Sequence, residues 1–157
     1  MKRVLLVLPL LVFSSVSLLA QKNPFEGTWK LDLAKSKFEP GPAPKSLTRT
    51  IVAQGGGAKY SFDGIAADGK PISYSFTVKY DGKDYPVSGT GTPAGADSIA
   101  IRLVGTNKAE AIQKKGGKEV AKAEVEVSKD GKVSTVKMDG ITVDGKELHS
   151  ESVYDKQ

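Results

Sequence analysis

The sequence has no cysteine, one histidine, one tryptophan and two methionines among its 157 residues. Without cysteine there is no disulfide to staple the fold, no thiolate nucleophile, no thiolate metal site and no cysteine to carry a lipoprotein's lipid. One histidine leaves no converging set of imidazoles for a metal, and no serine stands in a nucleophile-elbow pattern to make a triad with it. Apolar runs are equally scarce. The single long one is N-terminal: Lys2 and Arg3 precede an apolar stretch from Val4 to Phe13, and small residues lead from Ser14 to Ala20. Pro9, Ser14, Ser15 and Ser17 interrupt it, leaving less than the roughly 20 residues of a spanning helix. It reads as a signal peptide over residues 1–20, cleaved after Ala20. The expectation is an exported protein, periplasmic or extracellular, with no transmembrane segment after processing and one domain over 21–157. The net charge of +5 falls to +3 without Lys2 and Arg3. With the remaining signs interspersed, that is a solvated surface and not a nucleic-acid footprint.

What the sequence does have is turn chemistry and alternation. Asp-Gly-Lys recurs at Asp68, Asp81, Asp130 and Asp144, and Asp-Gly suits a type I′ hairpin turn. Gly55-Gly56-Gly57, Lys115-Gly116-Gly117-Lys118 and the stretch from Gly91 to Gly95 mark further reversals. Between them the apolar period is two, as in Ile72, Tyr74, Phe76, Val78 and Tyr80, or Ala121, Ala123, Val125 and Val127. The pattern predicts strands at 27–33, 46–54, 58–65, 71–80, 84–90, 97–104, 107–114, 118–128, 131–139 and 146–154. Residues 108–115 also suit a helical turn, but their shortness and Gly-Gly ending favour a strand. The fold class is all-β, an antiparallel up-and-down meander of about 8–10 strands closed into a small lipocalin-like barrel, since closure removes the two edges of so large a sheet. A two-sheet sandwich or half-open clam fits the same pattern. Pro40, Pro42 and Pro44 make Ala34 to Lys45 an irregular, extended crossing.

The opening Phe25-Glu26-Gly27-Thr28-Trp29-Lys30-Leu31 resembles the first strand of the calycin barrels, the lipocalins and fatty-acid-binding proteins. The resemblance implies that Trp29 closes the bottom of the barrel, that Gly27 allows close backbone approach, and that an arginine, Arg49 or Arg102, stacks on the indole. The closing Ser152-Val153-Tyr154-Asp155-Lys156 is similar to the last strand of a fatty-acid-binding protein. Two departures matter. The family's Arg-x-Tyr lipid anchor falls on Ser152 and Tyr154, so its charge is missing, and Ala34 to Lys45 is too short and proline-rich for the family's helical lid. A fatty-acid function is therefore not implied.

Candidate pocket residues are Arg49, Tyr60, Phe62, Tyr74, Phe76 and Tyr154. Tyr60, Phe62, Tyr74 and Phe76 gather in the first half of the chain, whereas Ala109, Ala111, Ala121 and Ala123 make the second half small-sided, which leaves room for an apolar molecule or else packs against the aromatics. Arg49, in step with Leu47 and Ile51, is placed to meet an anionic head group, to cap the base or to face water. His149 is expected on the outer face beside Glu147 and Glu151. Glu124 and Glu126 form the one nameable carboxylate pair, on a lysine-bearing face. No catalytic residue, metal or cofactor is expected. The function read from these residues is a barrel binding a small apolar or amphipathic ligand without catalysis; the alternative is a filled barrel acting as a protein-interaction or structural module with no identified partner, and a carboxylate-type hydrolase comes last.

Overall fold

Period-two burial makes strands of nearly every segment between the glycine-bearing reversals. The computed structural model describes residues 23–157, so the expected signal peptide lies outside the described residues. Twelve strands follow in chain order: β1 Gly27–Leu31, β2 Lys37–Glu39, β3 Ser46–Gln54, β4 Gly57–Ile65, β5 Pro71–Val78, β6 Asp81–Pro86, β7 Ser88–Thr90, β8 Ser98–Leu103, β9 Lys108–Lys115, β10 Lys118–Val127, β11 Val133–Ile141 and β12 Glu147–Lys156. The described residues contain no α-helix, only a short 3-10 turn at Pro93–Gly95, and none long and apolar enough to cross a membrane.

All pairings are antiparallel, in the order β6-β8-β9-β10-β11-β12-β1-β3-β4-β5-β7. The two ends of this path, β6 and β7, are separated in the chain only by Val87. One continuous segment thus bonds β8 with its first half and β5 with its second, and the sheet returns on itself as a ten-position barrel. The sandwich is excluded by that continuity. Eleven of the twelve strands occupy the ten predicted segments, with 84–90 divided at Val87 into β6 and β7.

Three expectations need correction. Ala34 to Lys45 is not wholly irregular: β2 pairs with β12 at Glu39–His149 and Lys37–Glu151, and Ser36 Oγ accepts from Val153 N–H at 2.9 Å. That crossing buries Val153, which otherwise points outward. The Asp-Gly turns at 68, 130 and 144 are not type I′. Only the glycine has positive φ, its N–H closes a β-turn onto the carbonyl three residues back, as Gly131 does onto Ser128 at 2.8 Å, and the aspartate stays right-handed. This is a type I turn followed by a glycine bulge. Both central residues are left-handed at Gly55–Gly56 and Gly116–Gly117, where the loop is two residues long. Asp81-Gly82-Lys83 is no hairpin tip either. The reversal comes at Tyr80 (φ 59°), and Asp81 opens β6 with a bulge before Asp84.

Burial grades along the interior. At one end Trp29, Ile51, Ala58, Val78, Val127 and Ser134 are almost wholly buried. Further along the same inward faces, Leu47, Phe62, Ile72, Tyr74, Val136, Met138 and Leu148 are only half-buried. The closed end is the base, and the opposite end, with the turns near 66–70, 116–117 and 142–145, is the rim.

Candidate functional site

Trp29 roofs the base from inside. It is fully buried, its indole N–H donates to the Phe25 carbonyl at 2.8 Å, and its strand pairs with β3 so that Trp29 faces Arg49 across the ladder. Gly27 lies beside the Lys156 side chain, where a Cβ would stand 2.6 Å from Cε. Lys156 Nζ is 4.8 Å from the indole centroid and the Arg49 guanidinium 5.6 Å, so two cations flank the ring. Of the two arginines proposed for that contact, Arg49 makes it. Arg102 is on the outer wall, donating to Glu110 at 2.9 Å.

Arg49 is the least expected group in the interior. It is 4% exposed, the Tyr154 ring lies 4.5 Å from its guanidinium, and it donates from Nη2 to the fully buried Ser134 hydroxyl at 2.8 Å. Its Nε has no partner, and among the described residues no carboxylate comes within ion-pairing distance. Burial lowers its affinity for the proton. Removing a guanidinium from water costs several kcal/mol unless an anion accompanies it. The stacked rings recover part of this cost and leave Nε unsatisfied.

The predicted aromatics form one wall. β4 and β5 pair Phe62 with Tyr74 and Tyr60 with Phe76, and those rings stack at centroid distances of 4.5 and 4.9 Å. The Tyr60 and Tyr80 hydroxyls lie 3.0 Å apart. Burial pushes the phenols of Tyr60, Tyr74 and Tyr154 up, so all three stay neutral near pH 7. Across the interior, Ala109, Ala111, Ala121 and Ala123 are buried and small. The six pocket candidates thus share one interior, with Arg49 and Tyr154 in contact near the base and Phe62 and Tyr74 nearer the rim.

Two inward groups escaped the sequence reading. Ser134 sits in step with Val136 and Met138, and Gln113 in step with Ala109 and Ala111, so alternation was the signal that places both inward. Gln113 was passed over because it stands among lysines and a glutamate in a segment that also suits a helix.

The remaining candidates lie outside. His149 is exposed, its Nδ1 2.7 Å from Asp139 Oδ1, and this contact raises its pKa above the usual histidine value. Glu126 pairs with Lys108 at 3.3 Å, and Glu124 stands in register between Glu110 and Lys137. Two concavities, of about 240 and 350 Å³, also belong to the outer wall. The first lies mainly against Glu110, Glu124, Glu126 and Lys137, the second against Lys30, Asp32, Thr48 and Asp155.

No family model matches the sequence, and no curated protein matches it. Among solved structures the chain is similar to the zebrafish ileal bile acid-binding protein complexed with cholic acid, at a TM-score of 0.49 and 14% identity, over 85% of this chain and 99% of that one.

Proposed function

We propose that the protein is an exported binding module whose barrel interior takes up a small amphipathic anion through the rim and holds it without chemical change. The observation that carries this reading is Arg49: a buried guanidinium with an unbonded Nε and no carboxylate partner. An anionic group entering the barrel supplies the missing counter-charge, and the aromatic and alanine walls accept its apolar part. Half-buried inward residues such as Tyr74 and Met138 mark the rim as the less tightly closed end, which supports entry there.

Native mass spectrometry of protein purified from its host, with a thermal-shift panel of alkyl carboxylates and their methyl esters, tests the reading. Co-purified ligand, or a rise in Tm with the acids exceeding that with the esters, is the expected result. Empty protein with no shift from any panel member counts against it.

The interaction-module reading has one observation of its own, that two concavities lie on the outer wall. A partner captured from host envelope extract by the wild type, and lost when Glu110 and Glu124 are both changed to lysine, would favour it. No such capture leaves it unsupported.

A further inference from the structure

We infer that the interior has a second polar station at Gln113, and that the molecule it takes carries a hydroxyl group remote from its anionic end. The inference rests on the interior-binding reading above and adds the class of ligand.

Gln113 is 7% exposed and faces inward near the rim end of β9. Its register partners are Ile99 on β8 and Ala121 on β10, neither of which has a polar side-chain atom. Oε1 has no hydrogen-bond partner. Nε2 meets only Met138 Sδ, at 3.9 Å, and a thioether is a weak acceptor. A buried amide left in this state is destabilising, because it gave up water for nothing of equal strength. Nearby, Ala111, Ala121 and Ala123 are small, and Gly140, the register partner of Ala121, has no side chain.

Among the described residues, Arg49, near the base, and Gln113, toward the rim, are thus the two side chains with a fully buried polar atom that lacks a hydrogen-bond partner. An unsubstituted alkyl chain anchored at Arg49 leaves Oε1 as it was. A hydroxyl donates to Oε1, and it also accepts from the amide nitrogen, so it fits either orientation of the amide. The ligand class that satisfies both stations is a hydroxylated amphiphilic anion.

The test is calorimetric titration of the purified protein with unsubstituted fatty acids from octanoate to hexadecanoate and with the same acids bearing a terminal hydroxyl. At the best-fitting length the hydroxy acid should bind about tenfold more tightly than its parent. Gln113→Leu, of similar volume, should abolish that preference while keeping affinity for the parent acid; Gln113→Met serves if the leucine variant fails to give the wild-type circular dichroism spectrum. Equal binding of both series at every length, or a preference that survives in the variant, overturns the inference and leaves interior binding standing. Binding of neither series overturns interior binding itself, and this inference with it.

Discussion

Arg49 holds a charge where charge is costly, and that conflict gives the sharpest prediction at the scale of single residues. Replacing it with methionine removes a desolvated cation and leaves the Ser134 hydroxyl without its partner, a loss of about 1–3 kcal/mol. The relief of a buried, unaccompanied charge is of similar or larger size. The Arg49→Met protein without ligand is therefore expected to melt no lower than the parent, while its affinity for alkyl carboxylates falls at least about tenfold; a lower Tm together with unchanged affinity would assign Arg49 to the scaffold alone. His149 offers a test on the outer wall. Its hydrogen bond to Asp139 raises its pKa in the folded protein above 6.5, so the contact stabilises the fold below the unfolded-state pKa and the benefit fades as pH rises through the folded value. An NMR titration should place the His149 midpoint above 6.5, and Asp139→Asn should bring it back toward that value.

Single elements show which parts of the fold were legible in the sequence. Alternation located the ten strand segments because each has one oily and one wet face. The turn types were not legible, since Asp-Gly serves a type I′ turn and a type I turn with a bulge equally well. Loop length decides between them, and it depends on register, which only the pairing fixes. Nor was β2 legible, because three residues among prolines carry too little period to read. The site was half legible: the aromatics and Arg49 fall on inward positions, but the contact between Arg49, Tyr154 and Ser134 joins strands far apart in the chain. Glycines separate two kinds of local constraint. Gly131 has φ of 70° and nothing within 4 Å of a Cβ built on it, so Gly131→Ala should cost only backbone strain, about 1 kcal/mol. At Gly140 a Cβ would stand 2.5 Å from the Val120 carbonyl oxygen and 2.7 Å from the Ala121 Cβ. Gly140→Ala should therefore cost about 2–3 kcal/mol by forcing β10 and β11 apart. Urea midpoints of the two variants check the order, and a larger loss at Gly131 would refute it.

At the scale of the whole molecule, a ring of ten strand positions divides the protein into two chemistries. Outside, a row of charges crosses six strands in register, Arg102, Glu110, Glu124, Lys137, Glu151 and Lys37. It is exposed and screened by salt, and it keeps the wall soluble more than it stabilises it. Inside, the base is closed by packed rings around Arg49 with Lys156 on the indole, and the rim is less buried. Export is part of the proposal, and N-terminal sequencing of protein from the host envelope or medium should begin at Gln21; a chain retained in the cytoplasm with Met1 in place would contradict it. The central claim, that an anion enters this interior and rests on Arg49, has a built-in reporter. Trp29 is the one tryptophan in the sequence and its ring lies 5.6 Å from the Arg49 guanidinium. Titration with α-bromododecanoate, whose heavy atom sits beside its carboxylate, should quench Trp29 emission saturably in the wild type and not in Arg49→Met. Wild-type emission that stays unchanged throughout the titration would contradict the account.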